Sequence, residues 1–190
     1  IKTYLKEKYK KPGNVFLGVV HRLDRPTGGV ILYAKTDKAL SRLNASFRTD
    51  AVKKTYWAVV DSVPPAESGT LEHHLLKDAK RNKSRVVAAK TRGAKLASME
   101  YRLLSASRNY YLLEIDLHTG RHHQIRAQLA AVGVRIKGDL KYGARRSNEG
   151  GGICLHARSL VFTHPVRNEE ISIIAPIPTD GVWQAFVELD

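Results

Sequence analysis

At 190 residues, 43% hydrophobic and 26% charged, the chain has the balance of a globular protein and the length for one domain with a sizeable core. Its 32 Lys and Arg against 18 Asp and Glu leave a net charge of +14, which points to a polyanionic partner, nucleic acid first, although a charged solvated surface has the same composition. The lone Cys154 excludes an internal disulfide and no apolar run reaches the ~18 residues of a membrane span, so a cytoplasmic protein off the membrane is expected.

The opening Ile1-Lys2-Thr3-Tyr4-Leu5 reads as the middle of a longer sequence, so an N-terminally incomplete chain is expected. Tyr4, Leu5 and Tyr9 among lysines predict a short basic amphipathic helix over 2–10, ended by Pro12-Gly13-Asn14. Two short strands follow, Val15 to Val20 and Val30 to Ala34, separated by a polar loop with Pro26 and two glycines. Thr36 is a helix cap, and Ala39, Leu40, Leu43 and Phe47 recur at helical spacing over 37–48.

Lys53 to Val60 alternates as a strand, with Tyr56 and Ala58 on one face and Trp57 and Val59 on the other. Residues 77–95 carry eight Lys and Arg and few apolar groups, which predicts a solvated loop or hairpin. Two strands joined at Arg108-Asn109 fill 97–117, and Thr119-Gly120 breaks the second. Ile125, Leu129 and Val132 predict a helix from His122 to Val132, with Gly133 after its end. Beyond a flexible Glu149-Gly150-Gly151-Gly152 loop come strands over 153–162 and 170–175, then a closing helix over 179–189 packing Val182, Trp183, Phe186 and Leu189. Cys154 is expected to be buried. Many strands and few helices, with no repeat and no linker, argue one α+β domain over 1–190 with a mostly antiparallel mixed sheet.

Three segments can carry chemistry. In His21-Arg22-Leu23-Asp24-Arg25-Pro26-Thr27-Gly28-Gly29, the arginines favour the ionised form of Asp24, ready to act as nucleophile or base; a surface ion pair explains the same spacing equally well. In Thr119-Gly120-Arg121-His122-His123-Gln124-Ile125-Arg126, His122 and Arg126 stand four apart on the predicted helix, and basic groups at its start suit a phosphate or a carboxylate such as Asp24. In Lys53-Lys54-Thr55-Tyr56, the tyrosine stacks on a base or packs in the core, the latter being usual for one strand aromatic. His118, His122 and His123 lack the spacing and the cysteine partners of a common zinc site, and no phosphate loop or serine elbow occurs. His73, His74 and His156 read as packing or surface residues.

Taken together, these segments resemble the RluA-type RNA pseudouridine synthases. His21-Arg22-Leu23-Asp24 with Thr27-Gly28-Gly29 is similar to the family's catalytic-aspartate motif, Lys54-Thr55-Tyr56 with Ala58 and Val60 to its tyrosine motif, and Thr119 to Arg126 with Gly138-Asp139 and Tyr142-Gly143 to its arginine motif. Leu155-His156-Ala157 and Thr163-His164-Pro165 resemble its closing strands. Two positions depart: Gly28 stands where the family usually has Ser, and His122 where Thr or Ser is common; the family's N-terminal strand region is missing from the front.

The resemblance implies the pseudouridine synthase catalytic fold and isomerisation of uridine in RNA to its C-glycoside, with no metal or other cofactor. It implies Asp24 as nucleophile or as the charge that opens the glycosidic bond, Arg126 as its partner, and Tyr56 stacking on the target base and aiding proton removal. Arg22 is expected to fill the space left by the flipped base, with Arg25, Arg121, His122 and Gln124 as further substrate contacts. Ribosomal RNA is the favoured substrate and transfer RNA the alternative, acted on by a monomer. A non-catalytic RNA-binding module of the same fold is the competing class; a metal-dependent nuclease would need a carboxylate cluster that Asp24, Asp61 and Asp116 do not form.

Overall fold

The computed structural model describes residues 1–49 and 51–189. In chain order its elements are α1 (Lys2–Lys8), β1 (Gly18–Val19), β2 (Gly28–Gly29), β3 (Tyr33–Ala34), α2 (Asp37–Arg48), β4 (Lys53–Val60), β5 (Ser68–Asp78), β6 (Lys83–Val87), β7 (Lys95–Ala106), β8 (Tyr111–Leu117), α3 (Gln124–Ala131), β9 (Leu155–Thr163) and β10 (Glu170–Ile174), with 3-10 turns between and after them. The main sheet runs β10-β9-β4-β8-β7-β5-β6 with every neighbouring pair antiparallel, and β2 joins β9 in parallel. This is the mixed, mostly antiparallel α+β architecture expected. β1 and β3 form a separate antiparallel pair.

Strand β4 is central because of its composition. Its lysine end is solvated, whereas Trp57, Ala58, Val59 and Val60 are all buried, so from Trp57 onward both faces are covered rather than one. They pack with Met99, Leu112, Leu113 and Ile115 of the neighbouring strands, with Ile125 and Leu129 of α3, and with Trp183 and Phe186 of the closing segment. A second cluster puts Leu43 of α2 against Leu160 and Phe162 of β9. Thr36 caps α2 as expected, its hydroxyl accepting from the Ala39 N–H at 3.2 Å.

Gly29 fixes where the polar loop meets the sheet. Its φ of 109° belongs to glycine, and a Cβ there would lie 2.3 Å from the Ala157 carbonyl oxygen. Gly28 differs, since a Cβ there meets only His156 Nδ1, at an ordinary 3.7 Å. Gly29→Ala is therefore expected to cost about 2 kcal/mol or more of stability, and Gly28→Ser to stay within about 0.5 kcal/mol of the parent in urea unfolding. Equal losses at the two positions would refute this reading of the strand contact.

Several expectations need correction. The helix predicted from His122 begins at Gln124, because His123 takes a left-handed conformation (φ 52°) and the chain turns there. His122 therefore lies before the helix and shares no helical face with Arg126. The polar stretch 77–95 holds the end of β5 and all of β6, paired as the hairpin expected; what was not expected is the strand before it, the rest of β5, which pairs with β7 over eight residues. The closing segment is a 3-10 helix (Gly181–Leu189); Trp183 and Phe186 are buried, but Leu189 is 43% exposed. In α1 only Leu5 is buried, while Tyr4 and Tyr9 stay outside and accept hydrogen bonds from Lys8 and Lys35.

Candidate active site

The loop between β1 and β2 is held at both ends. The Thr27 N–H donates to the Asp24 carbonyl at 2.9 Å, closing a turn through Arg25 and Pro26, and the Ile153 N–H donates to the Pro26 carbonyl at 3.1 Å. At the other end His21 Nε2 accepts from the Leu32 N–H at 3.0 Å while its ring stacks on Phe47, centroids 5.0 Å apart. Burial, with Lys54 adding to it, lowers the His21 pKa, so the ring is neutral and free to accept. Asp24 projects from this anchored loop with its side chain 26% exposed.

The turn before α3 brings the cations to it. Gln124 Oε1 accepts from the Thr119 hydroxyl (2.7 Å) and the Arg121 N–H (2.9 Å), and Nε2 donates to the Ser98 carbonyl (3.1 Å). Both ends of this buried amide therefore hold the turn. One helical step later, Arg126 Nη1 donates to Asp24 Oδ2 at 3.0 Å, linking residues 102 apart in sequence. Its Nε and Nη2 donate to the two oxygens of Asp139 at 2.6 and 2.7 Å. Arg126 and Asp139 are 5% and 1% exposed. Burial works against the guanidinium's charge, but the bonds to Asp139 and then Asp24 outweigh it and raise its pKa. Asp139 is the residue that sequence reasoning missed as a partner; its only signal was its place in the Gly138-Asp139 motif.

Tyr56 enters the same cleft from β4, where the register against β9 shifts between Thr55 and Tyr56, leaving Arg158 as the extra residue. Burial, with the Asp24 charge adding to it, pushes its phenol up to about 12. His123 also approaches Asp24, its Nε2 3.6 Å from Oδ2. Burial lowers its pKa, to about 4 against the opposing pull of Asp24, so it is neutral at pH 7.

Arg22, Arg25, Arg48, Lys54, Lys77, Arg121, Arg126 and Lys141 all border this open cleft of about 1620 Å³, in which Asp24 is the one carboxylate among the described lining residues. Drug-sized ligands fill pockets of ~300–1,000 Å³, so this volume and charge suit a segment of a polyanion better than a small metabolite. His122 lines the cleft as well, stacked on His123 with centroids 3.9 Å apart. Gln124 borders a smaller recess behind Asp24. Among the described residues, no group of three His, Cys, Asp or Glu side chains is placed to hold a metal ion.

The mixed sheet of this chain has the fold of solved RNA pseudouridylate synthase domains. The model of the RNA pseudouridylate synthase family matches residues 2–131, and the chain belongs to that family. It is 36% identical over 163 residues to an uncharacterised RNA pseudouridine synthase, YlyB, of Bacillus subtilis, covering 86% of this chain and 53% of that protein. It is 31% identical over 171 residues to the ribosomal large subunit pseudouridine synthase D of Zymomonas mobilis, covering 86% and 53%. The chain thus spans about half the length of these curated relatives. Among solved structures, human RNA pseudouridylate synthase domain containing 4 superposes with a TM-score of 0.77 at 25% identity, over 93% of this chain and 77% of that one. Among the described residues, no helix is long and apolar enough to cross a membrane.

Proposed function

We propose that residues 1–190 form the catalytic unit of an RNA pseudouridine synthase that isomerises uridine in structured RNA through Asp24. The observation that carries the reading is the Arg126–Asp24 bond at 3.0 Å inside a cleft bordered by eight cations. The guanidinium holds the carboxylate through a charge-assisted bond and aims it at the space where a flipped base would sit. In the reaction the N1–C1′ bond of uridine breaks, the uracil turns, and a C5–C1′ bond forms. The hydrogen on C5 leaves as a proton to solvent and N1 takes one up, so neither oxidant nor reductant is needed. Asp24 serves as the nucleophile or as the charge that stabilises the opening glycosidic bond.

Tyr56 keeps its proton at neutral pH, which supports a stacking and donating role over proton acceptance. Extruding the base costs a few kcal/mol, less at a loop or bulge, and exposed Arg22 is our candidate to take its place in the stack. Arg25, Arg121 and Lys77 are candidates for phosphate contacts along the rim. His122 is a further substrate contact in this reading, whereas Gln124 acts by holding the turn. Large-subunit ribosomal RNA is our favoured substrate, supported by the likeness to the Zymomonas mobilis enzyme. A cytoplasmic, reducing setting fits the buried Cys154 thiol, whose pKa burial raises.

The test is tritium release from carbon-5-labelled uridine RNA. The expected result is stoichiometric release from structured RNA, with affinity for that RNA falling at least about tenfold between ~50 and ~200 mM salt. No release from total ribosomal or transfer RNA of cells lacking the protein would overturn the proposal. Comparing pseudouridine maps of those cells with their parent identifies the uridine.

A further inference from the structure

His123 reaches the cleft through a hydrogen-bond arrangement that fixes which of its nitrogens carries the proton. Tyr142 closes the outer edge of β6: the Ser84 N–H donates to its hydroxyl at 2.9 Å, and that hydroxyl donates to the Ser84 carbonyl at 3.0 Å. The single phenolic hydrogen is thereby committed to a buried carbonyl, which is costly to leave unpaired. His123 Nδ1 lies 3.0 Å from the same oxygen, so it must be the donor in that contact. A neutral imidazole has one N–H, and burial keeps this ring neutral. Nε2 is therefore a bare lone pair, facing the Asp24 carboxylate across 3.6 Å.

Two acceptors turned toward one another at that distance repel unless a hydrogen is brought in from outside. The ring has no freedom to turn away. It is stacked between neighbours, 3.9 Å from the His122 ring at 19° and edge-on to Tyr142, and His122 is itself pinned by Ser84 Oγ at 2.9 Å and Asn82 Oδ1 at 3.1 Å. An internal uridine in RNA offers only two hydrogen-bond donors, the imide N3–H and the ribose 2′-hydroxyl. The imide is on the Watson–Crick edge, remote from the glycosidic bond, whereas the 2′-hydroxyl is on the carbon next to C1′. A carboxylate that acts at C1′ has the 2′-hydroxyl beside it.

We infer that His123 Nε2 and Asp24 Oδ2 form a paired acceptor for the 2′-hydroxyl of the target ribose, which makes His123 a residue that selects ribonucleotide over deoxyribonucleotide at the reacting position. The inference rests on the isomerase reading above. It adds a reason for RNA specificity that phosphate contacts cannot supply, since the 2′-hydroxyl is what separates RNA from DNA at a given site.

The test compares product RNAs that carry pseudouridine at the target position, with ribose or 2′-deoxyribose there, as inhibitors of turnover; no chemistry intervenes in their binding. The parent protein is expected to bind the ribose form roughly tenfold more tightly. In His123→Asn, which suits the left-handed backbone but removes the Nε2 acceptor, the two forms should bind within twofold of each other. Tyr142→Phe keeps the imidazole but frees its proton to move to Nε2, where it donates to Asp24, and the same loss of preference is expected. An unchanged preference in either folded variant, or none in the parent, overturns the inference. So does a result in which the variants lose discrimination against N3-methylated product instead. Turnover of unmodified RNA by the parent tests the isomerase reading separately: if it fails, that reading fails, and if it succeeds with preferences unmoved, only the role of His123 does.

Discussion

Asp24→Asn is expected to lower single-turnover isomerisation at least ~10⁴-fold while RNA affinity stays within a few-fold. Asn keeps the shape of the side chain and an oxygen for the Arg126 hydrogen bond, but it has no charge to offer a developing cation and no competent nucleophile. The fold should hardly notice. Asp24 is partly solvated, and Arg126 retains its two bonds to the buried Asp139, so unfolding stability should change by no more than about 1 kcal/mol. Asp24→Glu supplies the control: the charge returns, displaced by one methylene. A shift of ~1 Å in a positioned group costs about 10²-fold, so Glu should fall between parent and Asn. Turnover by the Asn variant within tenfold of the parent would remove Asp24 from the chemistry. Its partners would then be a structural ion pair at the cleft floor.

Much of this site could be read in the residues before any coordinates, and the places where reading stopped have physical causes. Local patterns left Asp24 open to a surface ion pair and favoured core packing for Tyr56; the resemblance to the pseudouridine synthases singled out both, with Arg126. The sheet brings all three to one cleft. The helix boundary at His122 was misplaced because apolar periodicity does not report backbone hand. His123 sits at φ 52°, a conformation unusual for any residue but glycine, and it shifts the helix start by two positions. His122 was expected four residues from Arg126 on one helix face, and that relation vanishes because α3 starts at Gln124. Both histidines still border the cleft, through the turn and not through a helix face.

Strand β5 was hidden for a different reason. Its inward positions Leu71 and Leu75 are separated by His73, and Glu72 and His74 alternate with them, so the apolar signal is sparse. What commits it to strand is pairing with β7 on one side and β6 on the other, a nonlocal term. Asp139 was invisible as a partner on the same ground. Thirteen residues and the end of α3 separate it from Arg126, and no period links them. Only the fold reveals that a fully buried carboxylate needs a fully buried cation.

That buried pair carries the second large expectation. One guanidinium serves two carboxylates, Asp139 beneath it and Asp24 in the cleft, with the Tyr142 ring 5.0 Å from its carbon. Asp139→Ala removes two short charge-assisted bonds and leaves Arg126 buried with half its partners, which is expected to cost about 3–5 kcal/mol in urea unfolding. The protein that remains folded should also be slower by roughly 10²-fold, because nothing now aims the guanidinium. These two losses have different origins, and a double variant separates them. Asp139→Leu with Arg126→Met replaces the buried charges by apolar groups of similar size, which in buried pairs is often neutral or better for stability. Stability should therefore return close to that of the parent while turnover stays low, since Asp24 has lost the cation that holds and orients it. Recovery of turnover together with stability would mean that Arg126 matters only for folding, and the clamp would have no part in the chemistry. Continued instability of the double variant would instead place the cost in packing around α3. In that case the ion pair would be a consequence of the helix position, not the cause of it.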